Sequence, residues 1–282
     1  MKAAGESLIN DAGKIAPAYK LEWEYPVWQL RFDAKAGLIA IECCDADTLQ
    51  TFFGVFAGKT GAFIMQDYRP AKAWWQNLAA IQNGIMYLQG VAAKGVGRSV
   101  GITAVNVEKA QVQWQRPEFS FYGLTATAVL ALPATGELTE LIGLNPATGE
   151  ELEVAGNIAT GPVKLGSWHA DENQVLAVPQ HYPAGNEYFA DLELFIKEKT
   201  GCNALFAIDY LEYKNIIALG FYLSQQDGRQ TYRLAIFSLA GELYLQEDLG
   251  KDLTGIGIDN FFIFQDTLIL VKNKKALLGY EV

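Results

Sequence analysis

A strand, a tight turn and a second strand recur along this chain of 282 residues. The pattern reads Phe53-Gly-Val-Phe-Ala-Gly-Lys-Thr-Gly61, Leu141-Ile-Gly-Leu-Asn-Pro-Ala-Thr-Gly149, Glu193-Leu-Phe-Ile-Lys-Glu-Lys-Thr-Gly201 and Leu234-Ala-Ile-Phe-Ser-Leu-Ala-Gly241. Ile102 to Ala110 has the same form with alanine in the glycine place. A short hairpin loop needs one residue at positive φ, and glycine takes that conformation without a Cβ clash. The closing positions 61 and 241 lie 180 residues and four intervals apart, about 45 residues per repeat. A four-stranded unit of that length is a propeller blade.

The segments between these turns are short, rich in β-branched and aromatic residues, and bounded by turn formers. Leu38-Ile-Ala-Ile-Glu-Cys, Gly84-Ile-Met-Tyr-Leu-Gln and Thr127-Ala-Val-Leu-Ala-Leu are examples. Such density of strands argues against a parallel sheet with crossover helices. Only Pro70 to Ala80 offers room for a helical turn or two. The expected fold is all-β, a β-propeller of about six four-stranded blades, with five or seven as alternatives. The blades fall at residues 27–68, 72–115, 119–155, 163–209, 210–248 and 253–282. The last has room for three strands, so Tyr19-Lys-Leu-Glu-Trp-Glu-Tyr25 is expected to complete it from outside and close the ring. Prolines are scattered and no linker tract interrupts the chain, so residues 1–282 read as one domain.

Half of the residues are hydrophobic, which excludes a disordered chain. A net charge of −10 argues against nucleic acid as a partner, because phosphate binding needs a basic surface. No window reaches the roughly 18 apolar residues of a membrane helix, so no membrane insertion is expected. Met1 to Lys20 lacks the apolar stretch of a secretory leader. The three cysteines, Cys43, Cys44 and Cys202, fit reduced thiols. The expected location is the cytoplasm; an exported form already stripped of its leader would begin in the same way.

Ile102-Thr-Ala-Val-Asn-Val-Glu-Lys-Ala-Gln-Val-Gln-Trp114 resembles the blade motif of quinoprotein-type propellers. There an apolar strand ending in Asp or Asn leads through a Thr-Gly turn to a strand ending in Trp. Leu141 to Leu152 is a second match. The family's enzymes hold a quinone and calcium, and no residues of this chain match that set, so the resemblance carries no cofactor and none is expected. The Gly-His and Trp-Asp marks of WD40 blades are absent. The whole chain also resembles an uncharacterised bacterial propeller family known as a domain of unknown function, which implies a fold and no activity.

Candidate chemistry is sparse. Gly54 to Thr60 has three residues between its glycines where a phosphate loop has four, and a strand follows instead of a helix. Gly95-Val-Gly97-Arg98-Ser99-Val-Gly101 lacks the dinucleotide-loop spacing. The two histidines are His169, near Asp171 and Glu172, and His181, in a turn-rich loop. No third or fourth metal ligand stands at a set spacing from either. No nucleophile elbow appears. Cys43 and Cys44 are adjacent, so one faces the core and the other is half-exposed, and Asp45 and Asp47 would raise their pKa. Asp45 and Asp47 are too few for a calcium loop. Trp23, Trp28 and Trp114 are expected to pack between blades.

Connections between blades share one face of a propeller with the loops between second and third strands, and loops on a rigid scaffold carry function. Residues expected on that face are Asp45, Asp47, Arg69, Trp74, Arg98, Arg116, His181, Tyr182, Asp227 and Arg229. Arg69, Trp74, Arg98, Arg116, His181, Tyr182 and Arg229 are the ligand-binding candidates; no catalytic and no metal-binding residues are assigned. The expected function is non-catalytic binding or scaffolding, with an unknown protein or small molecule as partner. The alternative is an enzyme acting on a sugar-like or other polar metabolite in the axial pocket, which several acids, a histidine and an arginine converging there would favour.

Overall fold

The computed structural model describes residues 15–91, 99–134, 141–152, 175–255 and 260–282. In chain order the strands are β1 (Tyr19–Glu22), β2 (Val27–Asp33), β3 (Leu38–Asp45), β4 (Gln50–Ala57) and β5 (Phe63–Tyr68). A 3-10 turn, Ala73–Trp75, leads into β6 (Gln76–Gln82), β7 (Ile85–Val91), β8 (Ser99–Asn106) and β9 (Gln111–Arg116). Next come β10 (Phe119–Leu124), β11 (Val129–Pro133), β12 (Ile142–Leu144), β13 (Leu176–Ala177) and β14 (Gln180–Pro183). Helix α1 (Phe189–Thr200) precedes β15 (Leu205–Tyr213), β16 (Ile216–Ser224), β17 (Gln230–Ser238) and β18 (Leu243–Leu253). The chain ends with β19 (Phe261–Phe264), β20 (Thr267–Lys272) and β21 (Ala276–Glu281).

The protein is all-β with one α-helix among the described residues, and its strands form five separate antiparallel sheets. Their orders are β2-β3-β4-β5, β6-β7-β8-β9, β10-β11-β12, β14-β15-β16-β17-β18 and β1-β21-β20-β19-β13. The first two fall where the repeat spacing puts them, the third does so with three strands among the described residues, and the last also takes in β13 from the segment expected in the fourth blade. The expected sixth sheet is not found among the described residues: the boundary expected at 209/210 lies inside β15, and residues 180–253 make one five-stranded sheet. The N-terminal strand does complete the last sheet, with Tyr19 opposite Gly279 and Glu22 opposite Ala276. Gly279 makes room for it, since a Cβ there would sit 2.2 Å from the Tyr19 ring.

The turn residues explain one failure and several successes. Gly61, Gly149 and Gly241 all take positive φ, and Ala110 takes φ 49° in the equivalent place. Gly201 also takes positive φ, but as the C-cap of α1, its N–H donating to the Lys197 carbonyl at 2.9 Å. The hairpin expected over 193–201 is therefore a helix. A left-handed glycine ends a helix as readily as it closes a hairpin. The helix signal lies upstream of that glycine. Phe189, Leu192, Phe195 and Ile196 recur at helical spacing and make one apolar face, which packs on Ile208, Leu219, Phe221, Ala235 and Phe237 of the sheet. Asp191 in the first turn and Lys197 and Lys199 in the last suit the helix dipole.

The chain divides into two compact units. One comprises Tyr25–Gly58 and Ala62–Trp168. Within it Ala40, Phe53, Val55 and Met65 of the first sheet pack on Leu78, Met86, Leu88 and Val105 of the second. Tyr87, Ile102 and Ala104 of the second pack in turn on Phe119, Val129 and Ala131 of the third. Polar ties cross the first of these joints. Buried Glu42 accepts the Leu78 N–H at 2.7 Å, Arg31 Nε donates to the Ala79 carbonyl at 2.9 Å, and Asp33 accepts the Gly84 N–H at 3.2 Å.

The other unit comprises Met1–Glu24, Lys59–Gly61 and His169–Val282. Here the 180–253 sheet has α1 on one face and the last sheet on the other, where Tyr222, Tyr232 and Leu234 pack on Phe261, Ile263 and Leu268.

Candidate functional site

The turn between β3 and β4 and the connection between β5 and β6 approach each other in the Tyr25–Trp168 unit. Asp45 builds the first: its Oδ1 accepts the Asp47 N–H at 3.0 Å and its Oδ2 accepts the Thr48 hydroxyl at 2.7 Å. Both oxygens are thus used by the turn itself, and Asp47 stands exposed beside them. The turn leaves Leu49 at φ 54°, more than half exposed. In the second segment Lys72 takes φ 61° and starts the 3-10 turn that presents Trp74 and Trp75. Left-handed backbone in a non-glycine residue costs about 1 kcal/mol or more, and such residues gather at ligand sites.

Between these segments lies a cavity of about 390 Å³, lined by Leu49, Gln50, Thr51, Arg69, Pro70, Lys72, Ala73, Trp74 and Trp75. Trp74 is half-buried and Trp75 is 43% exposed. Arg69 is held from two sides: Asp67 accepts from its Nε at 2.8 Å, and the guanidinium carbon lies 5.4 Å from the Phe52 ring centre and 5.8 Å from that of Tyr25. No carboxylate lines this cavity among the described residues, whereas two cations and two indoles do. Arg69 and the Trp74-Trp75 pair are thus brought together; Lys72 and Leu49 join them without having been singled out in the sequence.

The other candidates are placed elsewhere. Arg116 is a strap within the same unit, donating to Glu118 at 2.6 Å, to the Gly149 carbonyl at 2.6 Å and to Glu151 at 2.9 Å, with the Phe119 ring 4.7 Å away. Arg229 and Asp227 pair at 3.3 Å in the exposed β16–β17 turn. Tyr182 contacts the rings of Tyr188 and Tyr210. Arg98, His169, Asp171 and Glu172 lie outside the described residues. Trp28, expected to pack, is 68% exposed on β2, while Trp114 is buried and donates from Nε1 to the Pro146 carbonyl at 2.9 Å.

His181 lies in strand β14 rather than in a loop, and it meets a partner that sequence spacing does not reveal. Its Nδ1 lies 2.6 Å from Asp209 Oδ1 across the β14–β15 ladder. Asp209 is buried, and its Oδ2 accepts the Tyr232 hydroxyl at 2.5 Å. A separate cavity of about 550 Å³ in the same unit is lined by Arg233, Gln246, Glu247, Asp248, Lys251, Lys272 and Asn273. Its charges pair internally, Arg233 with Asp248 at 2.6 Å and Lys272 with Glu247. Partial burial raises the Asp248 carboxyl, but the Arg233 guanidinium and the Lys251 ammonium outweigh it and hold it below its ordinary value.

The thiols are quiet. Cys43 is buried and Cys44 half-buried. Burial, with a lesser contribution from the Glu42 carboxylate, pushes the Cys44 thiol up to about 12. The carboxylate that adds to burial is Glu42 on the same strand, in the role expected of Asp45 and Asp47. Among the described residues no three His, Cys, Asp or Glu side chains are grouped to hold a metal ion. No helix among them is long and apolar enough to cross a membrane.

A family model described as a domain of unknown function (DUF4905) matches residues 32–114. No curated protein matches the chain. Among solved structures, a eukaryotic initiation factor aligns over 92% of this chain and 54% of its own at 10% identity and a TM-score of 0.30. A bifunctional GH43-CE protein of Bacteroides eggerthii aligns over 90% of this chain and 34% of its own at 10% identity and a TM-score of 0.25. The chain thus spans about half and about a third of these two proteins. The catalytic domain of a Coprinopsis cinerea GH62 α-L-arabinofuranosidase aligns over 94% of this chain and 95% of its own at 10% identity and a TM-score of 0.26. Likenesses this weak carry neither fold nor activity to this chain.

Proposed function

We propose that the protein is a binding domain whose sheets are the blades of a β-propeller, and that it takes a small ligand, with no chemistry at that site, in the Arg69–Trp74 cavity. The blade reading is supported by sheets of consecutive strands paired with their chain neighbours, and by the N-terminal strand that completes the last sheet. The binding reading rests on one observation: the cavity pairs two indoles with two cations and has no lining carboxylate. Flat rings stack on indole faces, and a guanidinium held by Asp67 and two aromatic rings is already oriented for an anion. The ligand class is therefore a small carboxylate with a flat or ring-shaped apolar face. The catalytic alternative asks for acids, a histidine and an arginine in one pocket; neither cavity combines them among the described residues.

A thermal-shift panel tests this reading. D-glucuronate and benzoate are compared with their uncharged counterparts D-glucose and benzamide, on the parent and on Arg69→Ala. The carboxylates are expected to raise the parent's Tm and to leave the variant's unchanged. Equal shifts for charged and uncharged members, or no shift with any, would overturn the assignment of this cavity.

A further inference from the structure

The described contacts of the His169–Val282 unit join three side chains from three strands in one line. Asp209 stands opposite His181 on one side and opposite Gly220 on the other. Gly220 in turn faces Leu234, and Tyr232 lies two residues before Leu234 on the same face of β17. A Cβ on Gly220 would lie 1.9 Å from the Tyr232 hydroxyl and 2.6 Å from its ring carbon Cζ. The missing side chain of β16 is thus the passage through which the Tyr232 phenol crosses to Asp209, one strand further on. Phenylalanine would fill that passage equally well; the hydroxyl adds its bond to Asp209 and a contact with the Asn260 side chain.

A carboxylate accepts hydrogen bonds and donates none, so the phenol and the imidazole are the donors here. Both Asp209 oxygens are occupied, one by each. Burial, with the nearby Asp209 charge, holds the Tyr232 phenol protonated and able to donate. Nδ1–H of His181 is therefore the donor to Asp209, which leaves Nε2 outside that contact. The carboxylate fixes both tautomer and ring orientation, the arrangement by which a buried acid prepares a histidine for proton transfer. The His181 side chain is 38% exposed, at the edge of its sheet, whereas that of Asp209 is 7% exposed. The acid is shielded and the base has access to solvent.

We infer that His181 is an acid–base site, with Asp209 and Tyr232 as positioning residues, that activates water against an acyl ester. Nε2 takes a proton from the water as its oxygen bonds to the acyl carbon. The imidazolium, stabilised by Asp209, returns that proton to the alcohol oxygen as the ester bond breaks, leaving a carboxylic acid and an alcohol. This inference is independent of the Arg69–Trp74 cavity, which lies in the other unit.

Two measurements test it on the full chain. The first is long-range ¹H–¹⁵N spectroscopy of histidine-labelled protein, where the chain's two histidines permit assignment by His181→Gln. The His181 ring is expected as the Nδ1–H tautomer in the parent. The second is hydrolysis of 4-nitrophenyl acetate. The parent is expected to exceed the same concentration of free imidazole, and His181→Gln to lose the excess. Asp209→Asn should lower the excess rate about 10–100-fold, as loss of an orienting partner does. Should Asp209→Asn fold poorly, Tyr232→Phe, which keeps the ring and the packing, should still lower the rate while leaving circular dichroism unchanged. An Nε2–H tautomer, a parent no faster than imidazole, or folded Tyr232→Phe protein with the parent's rate would each overturn the inference.

Discussion

Glu42 shows how one residue joins two sheets at a cost that depends on pH. It sits in an apolar strand, buried, with the Leu78 N–H and the Cys44 thiol as hydrogen-bond donors and Arg31 nearby. Burial raises its pKa more than these partners lower it. Folding therefore favours the protonated form. The stability this contributes is full below the ordinary glutamate value of about 4.3 and is lost as pH rises through the higher folded value. Glu42→Gln keeps an oxygen for the Leu78 N–H and carries no charge, so its Tm should gain on the parent's as pH increases. Glu42→Ala leaves that N–H unpaired and should lose about 1–3 kcal/mol at the acid end, a deficit that shrinks as pH rises. Thermal melts from pH 4 to 8 distinguish these; a Gln variant whose difference from the parent does not change with pH contradicts the assignment.

Gly149 is the other informative residue. It has φ 74°, its N–H donates to the Asn145 carbonyl at 2.8 Å, and a Cβ would sit 2.7 Å from the Trp114 ring. Gly149→Val should destabilise by about 1–3 kcal/mol from backbone strain, with the ring contact adding to it. Urea titration reads this as a lower midpoint at unchanged slope; an unchanged midpoint contradicts it.

At the level of elements, strands were legible because their apolar runs are short and their turn residues specific. The turn at 145–149, the hairpin over 102–114 and the strand at 19–22 all lie where composition and spacing put them. Helix α1 was not read, although Phe189, Leu192, Phe195 and Ile196 carry its period. The Lys-Thr-Gly ending serves both structures, so the repeat masked the helix and shifted the count of sheets. Ile196 anchors α1 and is fully buried. Ile196→Ala should cost about 2–5 kcal/mol, measured by denaturant unfolding. A loss below about 0.5 kcal/mol, the range of surface substitutions, would mean the helix contributes little to its unit.

The candidate sites were only partly legible, for a reason set by register. Arg69 and Trp74 are near neighbours in the chain, and the cavity they share follows from one connection. Residues 181, 209 and 232 meet only because three strands pair in one register. A single signal pointed that way: Asp209 interrupts the apolar run Leu205-Phe-Ala-Ile-Asp-Tyr-Leu211, where a buried carboxylate must find donors.

For the molecule as a whole, the central claim is that an all-β chain presents a cation-and-indole cavity, within one of its units, to a small carboxylate. Isothermal titration calorimetry tests it most directly, using the carboxylate with the largest thermal shift on the parent, Arg69→Ala and Trp74→Ala. One charge-assisted contact contributes about 1.5–3 kcal/mol, so Arg69→Ala should weaken binding roughly 10–100-fold. Trp74→Ala should weaken it as well, and the uncharged counterpart should bind the parent no better than the carboxylate binds Arg69→Ala. Saturable binding of the same affinity in all three proteins would place the ligand elsewhere and contradict the account.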